Sequence, residues 1–474
     1  MSDLEYIFHP KSIAIIGAKS QPLSATNYFF LNPLIDFGYG GNIYPVNPKA
    51  SEISGLKAYP SILDIPGPVD HVTCGIRADL TPQLMRECVA KGVKVVHLYT
   101  SGFSETGREK GISLEKEIIK IARQGNIRVL GPNCLGIYCP TSKISFKSSF
   151  PKDGGNVGFL CQSGGNSIDI VELGNARGVR FNKVVSFGNA SDINEAEILE
   201  HFTGDPEIKI IVGYMEGTRD GNRLIKALQK AAKIKPLIIL KGGITEAGTQ
   251  AVASHTGSLA GSNVVWESLF RQLGVTQVND MDELIDLVLL FQHSMPPQGR
   301  KIGIIGSSGG SSVLLTDICE KENLTIPPFP DEVKSKLREI LSEEADPGTT
   351  MRNPVDLASS TPNPTIFSPI LKTIADYNGV DLILIYINVS FGWDNGTNVL
   401  ATMQTESLIE TTRELDKPVA VVVRHTGIPE SSTFAFGIQE SLLQAGIPVF
   451  PSFDRASRAL DRFVGYYEAK QHRK

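Results

Sequence analysis

The sequence predicts an α/β protein: a Rossmann-like N-terminal unit followed by two flavodoxin-like parallel-sheet units. Three observations predict it. Short β-rich apolar runs alternate with amphipathic stretches, Gly, Pro and Asn punctuate the turns between them, and one block of sequence recurs later in the chain. Strand–helix alternation with short turns implies parallel sheets covered on both faces. The 474 residues exceed a single core, and the units are expected at 1–149, 150–293 and 299–468.

In the first unit, strands are expected at Ser12–Ile16, Asn42–Val46, His71–Ile76, Val93–Tyr99 and Arg128–Leu130, with helices at Thr81–Lys91 and Glu109–Gln124. The first strand ends at Gly17-Ala18, where a phosphate-binding loop sits in dinucleotide-type folds. The run Gly17-Ala18-Lys19-Ser20-Gln21-Pro22 lacks Gly-x-Gly-x-x-Gly, which disfavours an NAD-dependent dehydrogenase.

The remainder carries a duplication. Asn156–Ser167 resembles Lys301–Ser312, Ile210–Met215 resembles Leu382–Ile387 with Tyr214 matching Tyr386, and Lys235-Pro236 opens a strand-like run as Lys417-Pro418 does. Each copy reads as strand, Ser-Gly-Gly turn, helix and further strand–helix units. Between them, Ser294–Gly299 holds Pro296, Pro297 and Gly299, which interrupt helix and sheet.

A net charge of -5 with acids and bases interleaved offers no concentrated basic face, so neither nucleic acid nor a membrane surface is expected as a partner. No apolar stretch reaches a membrane span, and the N-terminus has no basic-then-apolar leader; the cytoplasm is the expected compartment. The six cysteines form no Cys-x-x-Cys. They read as reduced buried thiols, and no metal site is expected.

Three features carry chemistry. Gln162-Ser163-Gly164-Gly165 and Ser308-Gly309-Gly310 each end a strand and begin a helix at glycines. Unpaired backbone N–H groups and the positive helix end then face whatever lies ahead, a ready phosphate site. One such turn is more often plain turn geometry; two matched copies weigh more. Next, Ala253–Gly261 reads as a loop of small residues presenting one imidazole, His255. An isolated histidine is more often structural, yet imidazole is a good nucleophile near neutral pH. Finally, Glu216 follows Ile210–Met215, and its counterpart in the second copy is Asn388. A charge lost in one copy points to a site rather than to the fold. A carboxylate there would accept the imidazole N–H and orient the ring.

Gly131-Pro132-Asn133-Cys134-Leu135-Gly136, Gln162-Ser163-Gly164-Gly165, Tyr214-Met215-Glu216-Gly217 and Ser254-His255-Thr256-Gly257-Ser258-Leu259-Ala260-Gly261 occur in that order. Val46-Asn47-Pro48-Lys49 and Arg352-Asn353-Pro354-Val355-Asp356 extend the pattern over nearly the whole chain. The set resembles the α subunit of ADP-forming (NDP-forming) acetyl-CoA synthetase, in the succinyl-CoA synthetase superfamily. The resemblance implies that the first unit binds coenzyme A, with Gly17, Lys19, Gln21, Val46, Lys49 and Ile76 at contact positions and Asn133 in the loop bordering the thioester. It implies that His255 takes phosphate from an acyl phosphate and passes it toward ADP, and that Glu216 holds its ring. Gln162, Ser163, Gly164 and Gly165, with Ser308, Gly309 and Gly310, would open the two helices whose N-termini hold the phosphate.

The resemblance further implies a separate ATP-grasp β subunit that binds ATP or ADP with Mg²⁺, an α2β2 assembly, and a small carboxylic acid, phosphate and CoA as substrates. Lys19 stands where the family has serine, Thr26 where it has glycine, and Arg77 where it often has proline. Lys19 and Arg77 are long enough to reach CoA phosphates. Two alternatives share these residues. A succinyl-CoA synthetase-like subunit for another acid would use the same histidine, and a non-catalytic CoA-binding regulator is disfavoured by the retention of His255 and Glu216.

Overall fold

The computed structural model describes residues 4–256, 262–306, 309–341, 351–357, 364–390, 393–394 and 397–471. The apolar runs of the first third become β1 (Ser12–Ile16) and β2 (Asn42–Val46), a hairpin of β3 (Glu52–Ile53) and β4 (Leu56–Lys57), then β5 (His71–Cys74), β6 (Val95–Leu98) and β7 (Arg128–Leu130). The sheet order is β2-β1-β5-β6-β7, and every pair is parallel. β1, β5 and β6 are buried along their whole length, as in a sheet covered on both faces. The order reverses at β1, and its carboxyl end therefore opens a crevice where ligands bind in such sheets.

β5 ends at Cys74, short of the expected Ile76, whose carbonyl accepts from Thr100 Oγ1 instead of a strand partner, and β6 spans Val95–Leu98 within the expected Val93–Tyr99. The helices Thr81–Lys91 and Glu109–Gln124 form where their periodicity places them, burying Leu84, Met85 and Cys88 from one and Ile118, Ile119 and Ala122 from the other. After β1 the chain makes a π-helical turn, Asn27–Leu31, which continues as Asn32–Phe37. Pro33 has no N–H to give at this point, consistent with the widened turn.

The second sheet comprises β8 (Gly136–Tyr138), β9 (Val157–Cys161), β10 (Phe181–Ser186), β11 (Ile210–Met215), β12 (Leu237–Lys241) and β13 (Thr276–Val278), in the order β13-β12-β11-β9-β10-β8. Only β8 is antiparallel, on β10. The third sheet comprises β14 (Ile302–Gly306), β15 (Val355–Asp356), β16 (Leu382–Asn388), β17 (Val419–Arg424) and β18 (Val449–Phe450), in the order β15-β14-β16-β17-β18. The first five strands of the second sheet follow the same path, read from the opposite end. Ile211 N–H donates to Pro236 O at 2.9 Å, as Ile383 N–H does to Pro418 O at 2.9 Å. Lys235 Nζ donates to Phe202 O at 2.6 Å and Lys417 Nζ to Tyr377 O at 2.6 Å. The repeated sequence thus folds as a repeated sheet.

The chain divides into two compact units, Met1–Leu284 and Ile285–Lys474. The first holds both the first and second sheets, although separate units were expected at 1–149 and 150–293. Two features knit them: β8 leaves the first segment to close the second sheet, and Arg128, the first residue of β7, pairs with Asp192 at 3.0 Å and Glu197 at 2.8 Å. The helix Met281–His293 was expected to close the second unit; its Ile285–His293 part packs with the last one. There Asp286 takes the Arg455 guanidinium at 2.6 Å, and Phe291 meets Phe463 with ring centroids 5.1 Å apart. All six cysteines are buried and unbridged. Among the described residues no helix is long and apolar enough to cross a membrane.

Candidate functional site

Gly17, Val46 and Ile76 leave or end β1, β2 and β5, so they gather at one edge of the first sheet. Gly17 has φ +87, and a Cβ there would lie 2.9 Å from Ile76 Cγ2; only glycine turns so close to the β5 exit. Buried Asn27 shapes the loop beyond. Its Oδ1 accepts from Lys19 N–H at 3.0 Å, and its Nδ2 donates to the carbonyls of Lys19 at 2.6 Å and Gln21 at 3.3 Å. Asn47 Nδ2 donates to Ala18 O at 2.7 Å, and its Oδ1 accepts from Lys49 N–H at 2.8 Å. The backbone is held while the side chains of Lys19, Gln21 and Lys49 stay exposed. Two exposed cations on two held loops suit an anionic ligand with phosphate groups.

The departures in this loop have structural counterparts. Thr26 packs on Gly75, where a Cβ would meet its Oγ1 at 2.4 Å. The glycine expected at 26 has in effect been exchanged for space at 75. Arg77 donates to both carboxylate oxygens of Asp79, at 3.0 and 2.6 Å, and holds that carboxyl below its usual range. Its guanidinium is therefore already engaged by a neighbour.

A line of contacts runs from this crevice to the second sheet. Thr100 Oγ1 donates to Ile76 O at 2.7 Å, and Thr100 O accepts from Asn133 N–H at 3.0 Å. Asn133 is left-handed with φ 59. Pro132 O accepts from Asn189 N–H at 3.0 Å, and Leu135 N–H donates to Ser186 Oγ at 3.2 Å. The approach needs Gly188, where a Cβ would come within 2.4 Å of Asn133 O. Leu135 in turn covers the start of the helix Gly164–Ala176, its Cγ 3.2 Å from the place of a Cβ on Gly164. Asn133 and Gly164, remote in sequence, share one edge.

Ser163 caps that helix, its Oγ accepting from Asn166 N–H at 3.3 Å. The N–H groups of Gly164 and Gly165 open the first turn, where no intrahelical acceptor exists. Gln162 Oε1 accepts from the N–H groups of Glu216 at 2.7 Å and Gly217 at 3.2 Å, tying the β9 exit to the β11 exit. Glu216 is 5% exposed, and the Tyr214 hydroxyl donates to its Oε1 at 3.2 Å. Lys241, the last residue of β12, donates through Nζ to Glu216 O at 2.8 Å. Burial pushes its pKa down to about 8, against the opposing pull of the Glu216 charge. Cys161 is buried below, its thiol pushed well up by burial.

From β12 the chain runs through Gly242 and Gly243 into the helix Glu246–Thr256, whose first turn is capped by Thr245 Oγ1 accepting from Gly248 N–H at 3.1 Å. A loop was expected over 253–261, yet the backbone is helical through Thr256. The Thr245 cap and buried Val252 anchor it, and Thr249–Thr256 contain no Gly or Pro. His255 lies in the last helical turn; its side chain and residues 257–261 lie outside the described residues, as does Ser308. Gly309 and Gly310 begin the helix Gly309–Lys321 directly after β14, as the repeat implies.

Sequence reasoning missed a polar hub beside this edge. Glu115, in the helix Glu109–Gln124, accepts from Ser104 Oγ at 2.6 Å, Asn189 Nδ2 at 3.0 Å and Arg219 Nη1 at 3.0 Å. Glu105 also accepts from Asn189 Nδ2, at 2.6 Å, and Thr218 Oγ1 donates to buried Glu195. The turn carrying Glu216 is thereby tied to the loop following β6. Its members are spread from 104 to 219 with no shared motif; Glu115 alone gave a signal, as an acid on the buried face of an amphipathic helix.

Comparisons with known proteins place the chain in a family. Residues 11–140 match the family described as CoA binding domain, and residues 154–291 match the family described as succinyl-CoA ligase like flavodoxin domain. The chain is 34% identical over 478 residues to the acetate–CoA ligase (ADP-forming) I subunit alpha of Pyrococcus furiosus, covering 99% of each. It is 40% identical over 357 residues to the acetate–CoA ligase (ADP-forming) of Methanocaldococcus jannaschii, of which it spans 49% while 75% of this chain is covered. It thus spans about half the length of that relative. A dinucleotide forming acetyl-coenzyme A synthetase 1 of Ca. Korarchaeum cryptofilum, solved with phosphate and ADP, superposes with a TM-score of 0.85 at 28% identity, over 100% of this chain and 98% of that one. The chain belongs to the family of ADP-forming acetate–CoA ligase α subunits.

Proposed function

We propose that the chain is the CoA-binding, histidine-phosphorylated α subunit of an ADP-forming acyl-CoA synthetase. The overall reaction is acyl-CoA + ADP + phosphate ⇌ acid + ATP + CoA. One observation carries the reading. Buried Glu216 is joined by Gln162 to the turn that opens the helix Gly164–Ala176, on the sheet edge from which the His255 helix departs.

The roles follow from this arrangement. Gly17, Lys19, Gln21, Val46, Lys49 and Ile76 hold CoA, and Asn133 borders its thioester. Phosphate oxygen attacks the thioester carbonyl, the C–S bond breaks, and acyl phosphate and the CoA thiolate result. One imidazole nitrogen of His255 then takes the phosphoryl group and the carboxylate leaves. Glu216 accepts the N–H of the other nitrogen, which fixes the tautomer and steadies the charged ring. Gly164 and Gly165, in the turn shaped by Gln162 and Ser163, direct helix-start N–H groups at the phosphate, and Ser308, Gly309 and Gly310 are assigned the same role at their own helix start. Such chemistry is positioning plus charge stabilisation, with little acid–base work.

An ATP-grasp β subunit holds ADP and Mg²⁺ and receives the phosphoryl group, in an α2β2 assembly in the cytoplasm. The three sheets then serve as CoA-binding, phosphohistidine and CoA-ligase domains at 1–149, 150–293 and 299–468. The test is the chain co-purified with its ATP-grasp partner, given CoA, ATP and a panel of small carboxylic acids. Acid- and CoA-dependent ADP release that vanishes in His255→Ala supports the reading; full release by His255→Ala defeats it.

A further inference from the structure

Lys241 is a buried charge that the repeated fold does not require. It ends β12 in register with Met215 of β11 and is 4% exposed. Its equivalent in the third sheet is Val423 of β17, in register with Ile387 of β16 and fully buried. The same register position carries a buried apolar side chain in one copy, followed by the exposed Arg424 that ends the strand, and a buried ammonium in the other. Burying an ammonium is costly unless acceptors meet its donors. Valine satisfies the fold, so the lysine answers to something that only the first copy does. The neighbouring position changes in the same sense, from Glu216 to Asn388.

The contacts of Lys241 indicate what that is. Nζ donates to Glu216 O at 2.8 Å and to Gly242 O, and it lies 5.4 Å from the centroid of the Trp266 ring. Glu216 leaves β11, Gly242 leaves β12 toward the His255 helix, and Trp266 belongs to the helix Asn263–Leu273 that follows the histidine segment. One ammonium bridges both strand exits and that following helix.

We propose that Lys241 is a positioning residue for phosphoryl transfer, clamping the Glu216 turn to the backbone that leads into the His255 helix. The proposal rests on His255 being the phosphoryl acceptor and Glu216 the group that orients it. Lys241 acts by holding the two strand exits, one carrying Glu216 and the other leading into the His255 helix.

The full chain, co-purified with its ATP-grasp partner, is given ATP radiolabelled at the γ-phosphate, and acid-labile label on the chain is followed in time. Wild type, Lys241→Met, Lys241→Arg and His255→Ala are compared. Lys241→Met keeps the length of the side chain over Trp266 and removes its donors. It labels about 100-fold more slowly, the cost of a misplaced reacting group, with CoA affinity and thermal midpoint unchanged and the Trp266 emission shifted. Lys241→Arg restores most of the rate, because it can donate to the same carbonyls. Labelling of Lys241→Met at the wild-type rate overturns the proposal, as does loss of fold together with labelling, which would make the residue purely structural. Failure of the underlying reading is distinct: His255→Ala would then label like the wild type.

Discussion

Replacing Glu115 by glutamine removes the charge at the hub beneath the Glu216 turn. The carboxylate is 5% exposed and accepts from Ser104 N–H at 3.2 Å, Ser104 Oγ at 2.6 Å, Asn189 Nδ2 at 3.0 Å and Arg219 Nη1 at 3.0 Å. Burial raises a carboxyl's pKa, but the Ser104 hydrogen bonds and the Arg219 charge outweigh it and hold Glu115 below 4.5. A hydrogen bond to a charged group contributes about 1.5–3 kcal/mol, and glutamine keeps some of these bonds through its carbonyl oxygen. Arg219 is 41% exposed and returns to water, so its share is discounted. The sum is a loss of about 2–3 kcal/mol for Glu115→Gln, or roughly 5 °C in Tm. Arg219→Gln costs only about 0.5–1 kcal/mol.

Urea unfolding of the full chain, followed by circular dichroism, measures both variants. The asymmetry between them is the signature, because one partner is buried and the other is not. The pH dependence has a fixed sign. The folded-state pKa is depressed, so the stabilisation is complete above 4.5 and fades as the pH falls through the lowered value. The gap between wild type and Glu115→Gln therefore narrows in acid. Equal losses for the two variants, or a loss below about 0.5 kcal/mol for Glu115→Gln, would refute the reasoning.

Three further outcomes are expected. Gly17→Ala places a Cβ 2.9 Å from Ile76 Cγ2 at φ +87, so it destabilises the first unit by about 1–2 kcal/mol and weakens CoA binding measured by titration calorimetry; unchanged affinity would separate Gly17 from the CoA crevice. Glu216→Gln leaves CoA binding intact while cutting phosphate labelling of the chain strongly, and normal labelling would remove Glu216 from its assigned role. Arg455→Leu strips the guanidinium from Asp286, which is 1% exposed, and costs the second unit about 3 kcal/mol, visible as a lower urea midpoint in the unfolding of Ile285–Lys474.

Much of the architecture was legible because local periodicity and packing agree. Ser12–Ile16, Asn42–Val46 and the helix Glu109–Gln124 fall where apolar spacing puts them, and the repeat foretold that the second and third sheets share a strand order. What escaped depends on partners distant in the chain. β8 is three residues long and becomes a strand only because β10 pairs with it across some fifty residues. Gln162 stands out in the sequence by its Ser-Gly-Gly turn, but that its carbonyl oxygen accepts from Glu216 and Gly217 is visible only in the fold. Lys241 at the end of a strand reads as a solvated charge; only the fold shows it buried, and only the comparison with Val423 shows that the burial is optional.

The residue that carries the phosphate decides the function. The complex of this chain with its ATP-grasp partner, incubated with ATP and Mg²⁺, quenched in alkali and digested, gives peptides whose modification mass spectrometry can place. An acid-labile phosphate on the imidazole of His255, lost when acid and CoA are added, is the predicted result. Steady ADP release with that peptide unmodified throughout, or with the phosphate on another residue, would contradict it.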